Sequence, residues 1–106
     1  MTDAIVALST VGNAGDAQRI GRALVERRLV ACVNVVPGVT SIYAWKGAVE
    51  TSQELLLVIK TRRRRFDALR AALLELHPYE VPELVALPVA DGGPAYLEWI
   101  RTSVEE

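Results

Sequence analysis

Cysteine is nearly absent from this chain: Cys32 stands alone. No internal disulfide can form, which excludes a disulfide-built scaffold and makes a reducing, cytoplasmic setting the natural expectation. Histidine is equally scarce, with His77 the only one, so no multi-imidazole metal centre can come from a single chain. Charge of one sign is missing too. Twelve basic residues against 13 acidic ones leave a net charge of −1, which argues against a polyanion-binding surface and against nucleic acid as a partner. Long hydrophobic runs are also missing: none approaches the roughly 20 residues of a bilayer-spanning helix, so no membrane partner is expected. Met1-Thr2-Asp3 carries no basic region and no small-residue cleavage site, so no signal peptide is expected. Aromatics are 6% of the chain, and the runs AIVALST and ELLLVIK hold no ring on which a base could stack.

What is abundant is aliphatic. Hydrophobic residues make up 51% of 106 positions and mean hydropathy is +0.22. That is high for one small domain, here taken as residues 1–106. Ala4 to Thr10 reads as a strand, and Ala14 to Arg28 as a helix with Asn13 as its N-cap. Val30 to Val36 and Val39 to Trp45 read as strand, with Pro37-Gly38 at a bend, bulge or edge because proline cannot donate to a ladder. Lys46-Gly47-Ala48 is a hairpin tip, and Val49 to Lys60 returns as a long strand. Arg62 to Leu76 reads as a second helix that Pro78 stops near His77. Glu83 to Val89 is a last strand, and Pro94 opens a third helix. The order β-α-β-β-α-β plus a helix is the split-βαβ, ferredoxin-like α+β pattern, with an antiparallel sheet and a long β2-β3 hairpin.

An antiparallel sheet covered by helices on one face ordinarily alternates apolar and polar residues. These strands are apolar at nearly every position. Leaving several hundred Å² of sheet face wet would forgo on the order of ten kcal/mol. A second copy of the chain covering that face is therefore expected, and the protein is expected to be an obligate oligomer.

The densest chemistry lies in His77-Pro78-Tyr79-Glu80-Val81-Pro82-Glu83. His77 is a candidate ligand for Cu, Zn or Ni; its other reading is a helix-end histidine bonded to last-turn carbonyls. Cys32, inside an apolar strand, reads as a small hydrophobe. Glu50, Glu54, Glu80 and Glu83 are carboxylates near strand ends with no nucleophile beside them, so no enzyme is expected. An acylphosphatase-type phosphate cradle would need an arginine between Thr10 and Gly15, and there is none. Arg62-Arg63-Arg64-Arg65 sets four cations against the dipole of the expected helix, and a solvated basic face is the simplest account.

Ala31-Cys32-Val33-Asn34, Pro37-Gly38, Ser41, Tyr43, Trp45, Gly47, Glu54 and Lys60-Thr61, followed by His77 to Glu83 and by Tyr96 and Trp99, resemble in order the signature positions of the CutA divalent-cation tolerance family. The resemblance spans essentially the whole chain. It implies a cytoplasmic homotrimer of ferredoxin-like protomers, similar in assembly to the PII signalling proteins, with a role in tolerance of copper or another divalent metal. It further implies metal contacts from His77, Cys32 and Glu80. The PII likeness suggests an alternative, a small anionic ligand held in inter-subunit clefts by Tyr43, Trp45, Glu54, Lys60 and Tyr79. Family members have been linked to metal through a cysteine at the end of the first strand and paired histidines before the proline. Here Ser9 and Leu76 stand at those places.

Overall fold

The computed structural model describes residues 2–104; Met1, Glu105 and Glu106, part of the expected domain, lie outside the described residues. The elements are β1 (Ala4–Val11), α1 (Ala14–Glu26), β2 (Cys32–Trp45), β3 (Ala48–Arg62), a 3-10 turn (Arg63–Arg65), α2 (Phe66–Leu76), β4 (Val85–Pro88) and α3 (Pro94–Ser103). The strands form one antiparallel sheet in the order β2-β3-β1-β4. This is the α+β split-βαβ order that the hydrophobic pattern predicts.

One sheet face carries the core. Ala7 and Val11 of β1 and Leu57 and Ile59 of β3 meet Ile20 and Leu24 of α1 and Leu69 and Leu73 of α2, all buried. α1 starts where expected: the Asn13 side chain accepts from the Asp16 N–H at 2.8 Å, and its Nδ2 donates to Asp16 Oδ2 at 3.0 Å. It ends at Glu26, short of the predicted Arg28, because Arg28 turns left-handed at φ 57. The Arg28 guanidinium then donates to the carbonyls of Thr102 (3.0 Å) and Ser103 (3.4 Å) at the end of α3. A smaller cluster of Ala4, Ala31, Ile100 and Val104 seats that helix on the sheet end.

The arginine run does not open a helix as predicted. Arg62 is the last residue of β3, and its Nε donates to Asp3 Oδ2 at 2.9 Å with the arginine buried. The next three arginines form the 3-10 turn, and α2 begins only at Phe66. β4 is also shorter than the predicted Glu83 to Val89: ladder pairing runs only from Val85 to Pro88 against Ile5 to Leu8 of β1, although the Val89 N–H still donates to the Ala4 carbonyl at 3.1 Å.

The opposite sheet face is largely uncovered by the chain itself. Strand pairing places Val6 and Leu8, Leu56 and Val58, Val36, and Val85 and Leu87 on that side. Val36 is 41%, Val85 51% and Leu87 53% exposed.

Candidate functional site

The site begins with a bulge. β2 and β3 pair from Cys32↔Lys60 to Val36↔Leu56 and resume at Val39↔Glu54, so β2 spends one extra residue at Pro37-Gly38. Gly38 takes φ 76, a conformation glycine adopts without cost. Proline is tolerated there because β2 is the sheet edge. The extra residue reverses side-chain parity: beyond it Ser41, Tyr43 and Trp45 share the face of Glu54, Leu56 and Thr10. Beyond Leu55, β3 has only β2 as a neighbour. The hairpin from Val39 to Glu54 therefore stands out from the sheet by about 23 Å, consistent with a longest dimension of 44 Å. It closes through a two-residue turn with both φ angles positive, Lys46 at 49 and Gly47 at 82.

The second component is the connector after α2. Pro78 disfavours helical geometry at the preceding residue, and His77 is extended with ψ 135, its N–H still bonded to Leu73 O at 2.8 Å. The imidazole turns inward and is 6% exposed. Its Nε2 lies 2.7 Å from the Thr10 carbonyl oxygen, and its Nδ1 accepts from the Tyr79 N–H at 3.1 Å. A carbonyl can only accept and a backbone N–H can only donate. The ring is therefore neutral and protonated at Nε2, with neither nitrogen lone pair free. β4 covers β1 only from Ile5 to Leu8, and His77 satisfies the carbonyl beyond it.

Tyr79 packs its ring on His77, centroids 4.6 Å apart, and donates its hydroxyl to Glu54 Oε2 at 2.7 Å. Burial first, and then the hydrogen bond to Glu54, push the Tyr79 hydroxyl well above the ordinary tyrosine range, so it stays a donor. Gly12 makes room for it, since a Cβ there would meet the hydroxyl oxygen at 3.2 Å. Glu54 is 8% exposed. Among the described residues no ion pair reaches it, and its partner is the neutral Tyr79 hydroxyl.

Hairpin and connector together enclose an open cleft of about 560 Å³. Tyr43, Trp45 and Tyr79 contribute rings, Glu54, Glu80 and Glu83 carboxylates, and Thr10, Ser41, Ile42 and Val81 complete the walls. Tyr43 is tied to Ser52 by a 2.7 Å hydroxyl–hydroxyl bond. Among the described residues no lysine, arginine or histidine lines the cleft.

Of the residues expected to form a ligand cleft, Tyr43, Trp45, Glu54 and Tyr79 come together, joined by Glu80 from the expected metal set. Lys60 does not join them. It sits four residues along β3 from Leu56, the partner of Thr10, a separation of roughly 13 Å, and its Nζ bonds the Asn34 Oδ1. Cys32 lies opposite Lys60, equally far from His77. The three proposed metal contacts are thus not one cluster: Glu80 faces the cleft, His77 is buried behind Tyr79, and Cys32 is at the other end of the sheet. Among the described residues no three His, Cys, Asp or Glu groups gather as a metal cage. Thr10 and Gly12 were missed by sequence reading, and Ser41 and Glu83, noted there only as a signature position and a strand-end carboxylate, join them at the cleft. The bulge parity is a signal that finds Ser41.

A family model described as CutA1 divalent ion tolerance protein matches residues 5–103. The divalent-cation tolerance protein CutA of Thermus thermophilus is 54% identical over 96 residues, 91% of this chain and 93% of that protein. Protein CutA of Mus musculus is 48% identical over 99 residues, 93% of this chain but 56% of that protein, so the chain spans little more than half of the mouse relative. Among solved structures, CutA from Xylella fastidiosa has a TM-score of 0.95 at 42% identity, covering 98% of this chain and 100% of that one. The divalent cation tolerance protein (Cut A1) of Thermus thermophilus has a TM-score of 0.94 at 51% identity, covering 96% and 99%.

Proposed function

The chain belongs to the CutA1 divalent ion tolerance family, and from that premise we propose a non-catalytic, homotrimeric protein of divalent-metal tolerance that binds a divalent cation weakly in the cleft. The observation that carries this reading is Glu54, a carboxylate 8% exposed with no cationic partner among the described residues. Buried charges are ordinarily paired, so an isolated one favours a cation from outside. Glu80 and Glu83 add negative charge at the same cleft. Carboxylate oxygens accept most divalent ions, and copper stands highest among the first-row metals for a given site. Three carboxylates without a closed cage correspond to low affinity. Titration of Cu²⁺ and Zn²⁺ by calorimetry tests this: weak binding by the wild type that is lost in Glu54→Gln and Glu80→Gln is the expected result. Identical isotherms for all three proteins would exclude the cleft.

The trimer is supported by the uncovered face through Val6, Leu8, Val58 and Leu87 and by the projecting hairpin, since an isolated two-stranded ribbon is marginal in water. A PII-like arrangement would set each cleft beside a neighbouring subunit. Light scattering at micromolar concentration should give three times the protomer mass, and a folded monomer would refute the assembly. The alternative of a small anionic ligand is weakened by the lining itself, because among the described residues no cationic side chain faces the cleft and Lys60 is directed elsewhere. A reducing compartment suits the free Cys32, and we place the protein in the cytoplasm. Some relatives are named chloroplastic, so fractionation is the deciding measurement. No helix of the described residues is long and apolar enough to cross a membrane.

A further inference from the structure

We infer that the cation best matched to the cleft is a small organic ammonium ion, recognised by the carboxylates of Glu54, Glu80 and Glu83 and by the rings of Tyr43, Trp45 and Tyr79. This rests on reading the cleft as a cation site and names the chemical class of the cation. A bare metal ion is held tightly only where several lone pairs converge at short range, and the cleft does not gather them, so a metal ion gains only weak binding there. Both His77 nitrogens are engaged, Cys32 is at the far end of the sheet, and no metal cage forms among the described residues. A metal ion also gains nothing from three aromatic walls and the apolar side chains of Ile42 and Val81.

An alkylammonium gains from both. Its charge is attracted by the carboxylates, and its C–H surface, bearing part of that charge, lies well against aromatic faces. The Glu54 carboxylate is where the charge would be neutralised, being 8% exposed with a neutral hydroxyl as its partner. An independent observation comes from the hairpin tip. The Lys46 ammonium lies 5.6 Å from the centroid of the Trp45 ring, so the chain already sets a primary ammonium on a ring that lines the cleft. The cleft volume of about 560 Å³ accommodates a small molecule rather than a single ion.

The test uses full-length Trp99→Phe protein, which leaves Trp45 as the sole tryptophan. Tetramethylammonium chloride is titrated against it, with sodium chloride at matched ionic strength, tert-butanol as the neutral isostere, and zinc chloride in separate runs. The expected result is a saturable change in Trp45 emission with tetramethylammonium and none with tert-butanol or sodium chloride. Replacing Glu54→Gln or Glu80→Gln should weaken it by about tenfold or more, the scale of a desolvated cation contact. Circular dichroism checks that each variant folds, and Glu80→Gln carries the test if Glu54→Gln does not. A response shared by sodium chloride or tert-butanol, or one unchanged in the folded Gln variants, overturns the inference. A response to zinc that both Gln substitutions abolish, without one to tetramethylammonium, overturns the ammonium class while leaving the cation cleft standing. Silence toward all cations in both fluorescence and calorimetry overturns both.

Discussion

His77 offers the sharpest test of the architecture, because a metal ligand and a structural brace respond to replacement in opposite ways. In the folded chain its ring donates to the Thr10 carbonyl at 2.7 Å and accepts from the Tyr79 N–H at 3.1 Å, at 6% exposure. His77→Ala removes two hydrogen bonds worth about 0.5–1.5 kcal/mol each and leaves a buried carbonyl without its donor. It also opens a cavity beneath the Tyr79 ring, which packs 4.6 Å from the imidazole centroid. Together these predict a loss of about 2–4 kcal/mol. His77→Gln keeps a donor that can reach Thr10 and should recover part of it. Urea unfolding reads the effect as a drop in midpoint at unchanged slope, at one fixed protomer concentration because assembly contributes to stability. Calorimetry with Cu²⁺ on the same samples supplies the second readout, and binding to the folded protein should persist, weakened only as far as the Tyr79 wall and its bond to Glu54 loosen. Stability within about 0.5 kcal/mol of wild type, smaller than one such bond, together with a large loss of copper affinity, would refute the brace and make His77 a ligand.

Three further outcomes are expected. Ser9 is fully buried and its Oγ has no hydrogen-bond partner among the described residues, so Ser9→Ala should stabilise by about 1 kcal/mol, seen as a higher urea midpoint; an equal loss would reveal a hidden partner. Lys46 holds φ 49 at the first position of a turn that favours Asn or Gly, so Lys46→Asn should gain about 0.5–1 kcal/mol, and a lower melting temperature would count against the strain. The folded state holds the Tyr79 proton more tightly than the unfolded chain does, so the unfolded state binds fewer protons above its ordinary value of 10.0. The contribution is complete below that pH and is lost as pH rises toward the raised folded value. Absorbance titration should show a tyrosine ionising well above the ordinary value of 10.0, a step that Tyr79→Phe removes, and its absence from the wild type would contradict the Glu54 contact.

The element order was legible because each strand and helix carries its own local signal. Asn13 at the start of α1, the Pro37-Gly38 interruption and the Pro78 stop each act within a few residues. Boundaries failed where a distant partner decided them. Arg62 looks like part of a basic helix start, yet Ala4 and Asp3, some sixty positions away, hold it in β3. Glu83 and Leu84 look like strand, yet no β1 residue pairs with them, and Glu83 turns to the cleft instead. The site failed in the same way. Lys60 and Glu54 stand on one strand with the same parity, but six residues of strand rise carry them to different ends of the sheet.

His77 shows how far a residue's surroundings in space can differ from those in sequence. Its neighbours in sequence, Pro78, Tyr79 and Glu80, look like a ligand environment. Its neighbours in space are a strand carbonyl that β4 is too short to reach and a backbone N–H freed by the proline turn. A neutral imidazole with one donor and one acceptor serves both at once, whereas an ammonium offers no acceptor and a carboxylate no donor. The same contact holds Tyr79 where its hydroxyl meets Glu54, while the bulge at Pro37-Gly38 turns Tyr43 and Trp45 to that side. The histidine therefore bears on the cleft by fixing the wall opposite the hairpin.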